Sequence, residues 1–488
     1  MNLIKVYLRS SANWLQGSIL SHVRIFRHYI PSPFLLLGAI ELILLLFSAV
    51  LGNELRSSYW GLAVIYDSTL MASTLVYAGI LLASTMAMGV YSTSYREGTV
   101  AMIVRTVASY CLLGCAALTI LYYLAPFLEM GHGVLAYSVV ISLVIVPPVR
   151  WMFFKLVSTE SLSSRVLVLG AGKRARQLEQ RVLASHRGVA TIVGYVKTSA
   201  VEETLVEGRV CSHTQSLVDI AHHYDANEIV VALDERRTRE GVVFPLNELL
   251  DCKLLGINVV EAVTFYEREL GILEISEMRL GWMVFASGFT NSVLWDWIKR
   301  GFDIFVVISI ALATWPLMII AALATLVETG RPIIYKQVRV GLNGLPFEIY
   351  KFRSMRTDAE IQGKAIWAGA NDNRVTKVGA FLRNTRIDEL PQLYNVLVGD
   401  MSIVGPRPER PEFVDDLNTQ LAFYPERHRV KPGLMGWAQL NYPYGASVED
   451  AAEKLRYDLY YVKNRSLLLD LVIMVQTVQV ILLGTGVR

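Results

Sequence analysis

Cysteine, histidine and charge are all scarce in this chain. Its 488 residues include four cysteines and eight histidines, and only 18% of the residues are charged. The cysteines are too few and too scattered for a disulfide framework, and with no histidine at ligand spacing they indicate no zinc site. The formal net charge of +3 is too small to favour nucleic acid as a partner. The N-terminus also lacks the pattern of a removable signal peptide.

Apolar residues are abundant instead, at 53%, and they are concentrated in runs. Runs 70–90 and 106–128 contain no charged residue, and each is long enough to cross a bilayer. Runs 34–50, interrupted only by Glu41, and 133–149 are shorter but similar. We therefore predict four transmembrane helices within residues 1–158. Burial of these helices in a large soluble core is the disfavoured alternative, and Glu41 is expected to face a neighbouring helix.

Positive charge alternates between the loops that connect these runs. Lysines and arginines cluster before the first run, between the second and third, and after the fourth: Lys5, Arg9, Arg24, Arg27, Arg96, Arg105, Arg150, Lys155 and Arg165. The other two connections carry little positive charge. The positive-inside rule then places both the N-terminus and everything after residue 150 in the cytoplasm.

Residues 159–290 change to a soluble α/β pattern, which begins with "RVLVLGAGKRARQLEQRV". Short β-branched runs alternate with helical stretches, and this predicts a Rossmann-like parallel sheet. Gly170, Gly172 and Ala175 fit G-x-G-x-x-A, so a dinucleotide phosphate could rest on the following helix. The second strand ends in Val196-Lys197, without the carboxylate that would hold a ribose. A regulatory or scaffold role is therefore favoured over nucleotide catalysis.

Run 302–327 is apolar except for Asp303 and is long enough to span a bilayer. Both of its flanks are basic, however, and both therefore favour the cytoplasmic side. Pro316 stands in the middle of the run, where it removes a backbone hydrogen bond and kinks or breaks a helix. From the residues alone, a spanning helix and a helix that bends at Pro316 and returns to the same face are about equally favoured.

The remaining residues carry three long motifs. "IIYKQVRVGLNGLPFEIYKFRSMRTDAE" alternates like two strands around Asn343-Gly344, a strong hairpin signal. "RNTRIDELPQLYNVLVGDMSIVGPRPERPEF" and "KPGLMGWAQLNYP" follow. In this order they closely resemble the bacterial sugar transferases, which are monotopic phosphoglycosyl transferases. The resemblance covers most of 291–488, and the upstream region resembles the long form that initiates exopolysaccharide or capsule synthesis.

Asp388 and Glu389 lie just before Pro391, which is tolerated only in the first turn of a helix. A helix starting near Asp388 would place its positive end there, and with Arg383 and Arg386 nearby we expect an ionised Asp388. Such a carboxylate can attack phosphorus, and Glu389 can bind a hard cation. In an arbitrary protein these acids would more often be a helix cap and a first-turn acid. The resemblance implies instead that they form the catalytic acid pair of the family.

The resemblance also implies the reaction. Asp388 would attack the β-phosphate of a UDP-sugar, release UMP and hold a phosphosugar, which then passes to undecaprenyl phosphate. Family positions that hold phosphate fall on Arg383 and on Arg407 within Pro406-Arg407-Pro408, and Mg²⁺ would sit at Glu389. Lys351 and Arg353 are further phosphate contacts or a basic face for anionic lipid.

The implied architecture is a re-entrant helix at Pro316, anchored in the lipid of the bacterial inner membrane with its catalytic domain in the cytoplasm. The family usually has a small residue before this proline, and here Trp315 replaces it. The long form suggests a homodimer. UDP-glucose and UDP-galactose are the expected donors. The alternatives are a membrane-tethered sugar-nucleotide oxidoreductase or dehydratase, and a polysaccharide transport or assembly scaffold.

Overall fold

The computed structural model describes residues 22–25, 28–60, 68–88, 99–156, 164–184, 190–198, 203–212, 215–234, 244–278, 280–289, 292–356, 374–443, 445 and 447–483. The chain divides into two compact units, and the boundary between them falls after Leu270. Each unit has its own apolar core.

The first unit opens with two short strands and a set of long apolar helices. Their bounds are β1 His22–Ile25, β2 His28–Pro31, α1 Ser32–Trp60, α2 Ser68–Ala87, α3 Thr99–Ala108, a π-helical segment Ser109–Gly114, α4 Cys115–Leu124 and α5 His132–Leu156. At the positions of the four apolar runs, the segments long and apolar enough to cross a membrane are Phe34–Trp60, Thr69–Met86, Met102–Tyr123 and His132–Lys155. These helices fit a membrane protein.

A buried ion pair joins the first and last of these helices. Glu41 on α1 and Arg150 on α5 are both fully buried. The Arg150 guanidinium donates from Nε and Nη2 to the two carboxylate oxygens of Glu41, the second over 2.6 Å, and from Nη1 to Thr106 Oγ1 over 2.7 Å. Glu41 therefore faces a neighbouring helix as expected. A buried charge that loses its partner strongly destabilises a protein. The pair therefore favours the rotation of α1 and α5 about their axes that keeps Glu41 and Arg150 in contact.

A parallel sheet completes the first unit. Its elements are β3 Ser164–Leu169, α6 Lys173–Ala184, β4 Ala190–Lys197, β5 Val210–Ser212, α7 Leu217–His223, β6 Glu228–Val231, α8 Leu246–Leu254, β7 Asn258–Glu261 and α9 Ala262–Leu270. The strand order is β5-β4-β3-β6-β7 with every pair parallel, which is the doubly wound Rossmann order. The chain reverses direction across the sheet between β3 and β6, so the turns after these two strands lie side by side.

The main segment of the second unit begins at Gly271. Leu273 and Met278 belong to the core of this unit, and Trp437 Nε1 donates to the Gly271 carbonyl over 2.9 Å. The elements are α10 Leu280–Phe285, α11 Val293–Thr329, β8 Ile334–Val340, β9 Pro346–Phe352, α12 Lys377–Asn384, α13 Gln392–Val398, β10 Ser402–Val404, α14 Pro411–Gln420, β11 Gly433–Met435, α15 Trp437–Asn441, α16 Val448–Asn464 and α17 Leu467–Leu483.

Helix α11 continues through Pro316 for 37 residues and is a fifth segment long and apolar enough to cross a membrane. Trp315, at the position before the proline, is 57% exposed. The preceding residue supplies the hydroxyl that position 315 lacks, because Thr314 Oγ1 donates to the Ile310 carbonyl over 2.8 Å. Such bonds from a side chain to the preceding turn often bend helices.

Strands β8 and β9 form the antiparallel hairpin that the Asn343-Gly344 pair predicted. Both turn residues adopt the left-handed conformation, with φ of 55° and 78°, which asparagine and glycine tolerate best. The register pairs Tyr335 with Lys351, so Lys351 lies at the end of the hairpin away from its turn.

Candidate active site

The acidic pair lies on a single 3₁₀ turn, Ile387–Glu389, directly before α13. The α-helix was expected to start near Asp388, but it begins at Gln392, with Pro391 in the N-cap position. Arg386 starts the turn in the left-handed conformation, with φ of 59° and ψ of 15°, which residues other than glycine seldom adopt. Asp388 and Glu389 are each only 7% exposed, so the turn presents two carboxylates that are largely withdrawn from water.

Glu389 is surrounded by cations. Lys351 Nζ and Arg407 Nη2 contact its Oε1 at 3.1 and 3.0 Å, and Arg386 Nη1 lies 3.9 Å from the same oxygen. Burial by itself would raise the pKa of Glu389, but attraction to these cations outweighs it and lowers the pKa below the ordinary value. Glu389 is therefore the ionised carboxylate that holds Lys351 and Arg407 in the site.

Asp388 has different surroundings. Its Oδ1 is buried and has no hydrogen-bond partner among the described residues. Burial, followed by repulsion from Glu389, raises the pKa of Asp388 despite the nearby cations. The cations approach Glu389 most closely, and the ionised state expected for Asp388 at neutral pH stays a prediction. Asp388 therefore keeps one buried oxygen to which no group of the described residues is hydrogen-bonded.

Asn395 on α13 positions Lys351. It is fully buried, and its side-chain amide both accepts a hydrogen bond from the backbone of β9 and donates one to it. Its Oδ1 accepts from Tyr350 N over 3.1 Å and its Nδ2 donates to the Glu348 carbonyl over 2.6 Å. Strand β9 is thereby fastened to the helix that follows the acidic pair.

The buried residue Arg427 positions Arg407. The Arg427 guanidinium donates from Nη2 to the Arg407 carbonyl over 2.9 Å and forms an ion pair with Asp458 at 2.8 Å. Both Arg427 and Asp458 are buried, and α16 supplies Asp458. Sequence reasoning missed Arg427, Asp458 and Asn395, since a single arginine, aspartate or asparagine carries no spacing signal. Arg386, in contrast, already stood beside the acidic pair in the sequence.

The other predicted phosphate-binding residues form no hydrogen bond or ion pair with Asp388 or Glu389 in the described part of the chain. Arg353 is buried and caps the end of α11, where its Nη2 donates to the carbonyls of Thr329 and Gly330 over 2.7 and 2.6 Å. Arg383 is half-buried in the last turn of α12 and, within the described residues, forms no ion pair with either carboxylate. Pro406 is buried, and its carbonyl accepts from Gly433 N over 2.9 Å. These three residues stay predictions as phosphate contacts.

A narrow cleft of about 10 Å³ opens among these groups, with Lys351, Gln392 and Arg407 in its lining. A cavity of about 460 Å³ lies instead at the turn of the hairpin, beside Asn343 and His428. The small cleft has the chemistry for phosphate, because three basic residues, Arg339 among them, and an uncharged amide line it, whereas a whole nucleotide would require it to widen.

The implied Mg²⁺ can be tested against the donors present. All three cations approach Glu389 at Oε1, so Oε2 is the oxygen that could face a metal. Among the described residues, no cluster of three or more His, Cys, Asp or Glu side chains forms. Mg²⁺ commonly takes one or two carboxylates together with substrate phosphates. The residues thus fit an ion held mainly by a diphosphate, with Glu389 as its protein ligand.

Comparison with known proteins matches this same unit. The profile of the bacterial sugar transferase family covers residues 294–484. The exopolysaccharide production protein PSS of Rhizobium leguminosarum is 40% identical over 190 residues, which are 37% of this chain and 93% of that protein. The chain belongs to the bacterial sugar transferase family.

Two longer relatives extend the comparison. The UDP-N-acetylgalactosamine-undecaprenyl-phosphate N-acetylgalactosaminephosphotransferase of Aeromonas hydrophila is 47% identical over 198 residues, or 40% of this chain and 46% of the relative. The undecaprenyl-phosphate glucose phosphotransferase of Komagataeibacter xylinus is 31% identical over 341 residues, or 66% and 59%. The chain spans about half the length of these two relatives. The second match is too long to fit within 294–484 and therefore includes upstream sequence.

The Rossmann-like turn lies outside the part that matches the family profile. Gly170 has a φ of 122°, as such a tight turn requires. The carboxylate of Asp234, which follows β6, accepts from Lys173 N and Arg174 N over 2.8 and 2.9 Å. These are the first backbone amides of α6, where the phosphate of a dinucleotide would bind. Asp234 thus already occupies the anion position, which supports a structural or regulatory role.

Proposed function

We propose that this sugar transferase moves a sugar-1-phosphate from a UDP-sugar to undecaprenyl phosphate and releases UMP. UDP-glucose and UDP-galactose are the leading donors. The observation that carries the proposal is the contrast within the acidic pair: Glu389 is neutralised by cations, while the Oδ1 of Asp388 is buried and unpaired. A buried carboxylate oxygen beside cations is suited to attack on a phosphorus atom.

In the first half-reaction, a carboxylate oxygen of Asp388 forms a bond to the β-phosphorus of the UDP-sugar. The bond from that phosphorus to the bridging oxygen breaks, and the electron pair leaves with UMP. Asp388 then carries the sugar phosphate as a mixed anhydride. Lys351 and Arg407, which both contact Glu389 Oε1, contact the phosphate oxygens in this proposal.

In the second half-reaction, a phosphate oxygen of undecaprenyl phosphate attacks the same phosphorus. The bond to Asp388 breaks, the carboxylate is regenerated, and the product is an undecaprenyl diphosphate-linked sugar. Mg²⁺, when bound at Glu389, would supply further neutralisation of the diphosphate. The product fits the first membrane step of exopolysaccharide or capsule synthesis, and we propose that the protein acts as a homodimer in the bacterial inner membrane.

The membrane arrangement that suits this chemistry is four N-terminal spans and a re-entrant α11. Arg300, before Pro316, donates to the Leu397 carbonyl over 2.6 Å, and Ala321, after it, packs with Ile387. Residues 300 and 321 are about 31 Å apart along a straight helix, whereas 387–397 spans about 15 Å if helical. A bend at Pro316 brings the two halves toward this one short stretch, and it keeps both basic flanks in the cytoplasm.

Purified full-length protein in nanodiscs tests the activity. It is incubated with undecaprenyl phosphate and, one at a time, with UDP-glucose, UDP-galactose and UDP-N-acetylgalactosamine. We expect UMP release with one of the hexoses and a polyprenyl diphosphate-linked product. The third donor is included because the Aeromonas relative is named for it. Failure to release UMP with any UDP-sugar would refute the proposal.

Cysteine labelling tests the topology. Single cysteines replace Ser292, before α11, and Asn343, after it, in a chain whose four natural cysteines have been removed. Re-entry predicts that both are shielded from an impermeant reagent in intact cells and that both react once the inner membrane is opened. Labelling of only one of them in intact cells would show a spanning helix.

A further inference from the structure

A second unpaired polar group lies beside Asp388. Gln392 is only 3% exposed, yet its Nε2 has no hydrogen-bond partner within the described residues. Most buried polar side chains are hydrogen-bonded, so an orphaned donor calls for an explanation. The acidic turn therefore carries an unpaired buried acceptor, Asp388 Oδ1, and an unpaired buried donor, Gln392 Nε2.

The backbone keeps these two groups close along the chain. Leu390 and Pro391 both have right-handed helical angles, with φ/ψ of −59°/−33° and −61°/−18°. Residues 388 and 392 are therefore joined by a continuous, tightly wound helical path, closed by bonds such as Leu390 N to the Ile387 carbonyl over 3.1 Å, and they lie little more than one turn apart. Gln392 also lines the cleft shared with Lys351 and Arg407.

The donor and the acceptor do not satisfy each other, so a single ligand that satisfies both must have two properties. It must present an electron-poor centre to the carboxylate oxygen and a lone pair to the amide N–H. A phosphoryl group has both, in its phosphorus and its non-bridging oxygens. We propose that Gln392 Nε2 donates a hydrogen bond to a non-bridging oxygen of the phosphoryl group that Asp388 attacks. This inference rests on the proposed function and adds a catalytic residue to it.

An uncharged donor has a distinct use at this position. As the bond from Asp388 to phosphorus forms and the bond to the leaving oxygen breaks, negative charge is spread over the non-bridging oxygens. Lys351 and Arg407 are already partly neutralised by Glu389. The Gln392 amide stabilises the developing charge without gaining or losing a proton, and it does not compete with the cations for Glu389.

The test compares Gln392→Met with the wild type, both full-length and in nanodiscs, by rapid-mixing measurement of UMP release and of the phosphosugar adduct. Methionine has a similar length but no donor. We expect kcat to fall by about 10²-fold, as for other preorganised donors, with a smaller change in KM. Thermal stability should not fall, because no protein hydrogen bond is lost.

Gln392→Glu, of equal size but with a carboxylate, should lose more activity and raise the KM for the UDP-sugar. Gln420→Met, on the exposed end of α14, is the matched control and should behave as wild type.

The outcomes separate this inference from the function on which it rests. Normal adduct formation in Gln392→Met, with active wild type, would refute the Gln392 contact and leave the proposed function intact. Activity that falls only in step with a loss of thermal stability would show a structural role and also refute the contact. A normal UMP burst with slow discharge to undecaprenyl phosphate would place the hydrogen bond on the lipid phosphate alone and overturn the proposal. Wild type that releases no UMP refutes both ideas.

Discussion

Two turns in this chain lead into helices that could receive a phosphate, and they differ in how their polar groups are satisfied. At the Rossmann-like turn, the Asp234 carboxylate accepts from the first backbone amides of α6. At the acidic turn before α13, Asp388 Oδ1 and Gln392 Nε2 are buried without partners. The backbone amides of the first turn have hydrogen-bond partners within the protein, whereas the two unpaired groups of the second turn require a ligand.

This contrast reverses what the local motifs suggest when they are considered alone. A glycine-rich turn between a strand and a helix is a familiar phosphate site, and an aspartate before a helix is usually a cap. Here the glycine-rich turn is closed by a carboxylate of the same chain, and the aspartate is not used as a cap. Unpaired buried groups are costly to maintain, and the acidic turn has two of them within five residues.

Replacing the nucleophile should have the largest effect. Asp388→Asn should lower turnover by at least about 10³-fold and abolish the adduct, since an amide is not a competent nucleophile. UMP release and intact mass spectrometry measure the two effects. Asp416→Asn, on the exposed face of α14, is the control. Turnover near the wild-type level in Asp388→Asn would contradict the proposed mechanism.

The same substitution should also change stability with pH. Because the folded-state pKa of Asp388 is raised, its charge destabilises the folded protein above that pKa, and the cost disappears below the unfolded value of about 3.9. Asp388→Asn should therefore unfold at a higher temperature than wild type at pH 7, and the gap should narrow as the pH falls toward 4. A less stable variant at pH 7 would contradict this.

Glu389→Gln should reduce activity by roughly 10- to 100-fold, the usual effect of losing a supporting partner, and should weaken the dependence on Mg²⁺. The folded-state pKa of Glu389 is lowered, so its stabilisation is complete above the unfolded value of about 4.3 and is lost as the pH falls below it. The variant should thus be less stable than wild type at pH 7, opposite to Asp388→Asn. Thermal unfolding and magnesium titration measure both effects.

Residual activity of the same variant offers a further check. Without the neighbouring negative charge, the pKa of Asp388 should fall, and the acid limb of the pH–rate profile should move to lower pH. Arg407 and Lys351 would then face Asp388 alone. An unmoved acid limb together with an unchanged magnesium titration would contradict the role given to Glu389.

Truncation should have a smaller effect on chemistry, because every group of the acidic site lies in the second unit. A chain beginning at Gly271 should keep UMP-releasing activity in nanodiscs. A chain beginning at Ser292 should be less stable, since it loses the buried side chains of Leu273 and Met278, at about 2 kcal/mol each. Equal stability of the two chains would favour a catalytic domain that begins at residue 291, as predicted from the sequence. A chain from Gly271 that folds but is inactive would show that the first unit contributes directly.

Particular residues show what the sequence could and could not reveal. The apolar runs, the Asn343-Gly344 turn and the parallel sheet follow from short-range patterns, and the structure agrees with them. The ion pairs of Glu389 with Arg407 and Lys351 join segments 18 and 38 residues away, and no local pattern encodes such distances. The Arg427–Asp458 ion pair also joins segments far apart in the sequence, so it could not be predicted from a local pattern. The raised pKa of Asp388 comes from burial and then from the charge of Glu389, and the degree of burial is known only from coordinates.

The smallest expected effect is at the Rossmann-like turn, where Asp234 accepts hydrogen bonds from the first backbone amides of α6. Asp234→Ala removes the acceptor for the amides of Lys173 and Arg174, which should cost about 1 kcal/mol of stability, as for other lost helix caps. UMP release should be unchanged, because this turn handles no substrate in the proposed reaction. Asp251→Ala, on the exposed side of α8, should change neither property. Calorimetric titration of the wild type with NAD should show no binding, since the carboxylate occupies the phosphate position and Gly172 lies close against it. NAD binding by the wild type, or a large loss of turnover in Asp234→Ala, would mean that a ligand displaces the Asp234 carboxylate. The Rossmann-like turn and the acidic turn would then both bind ligands, and the contrast between them would be wrong.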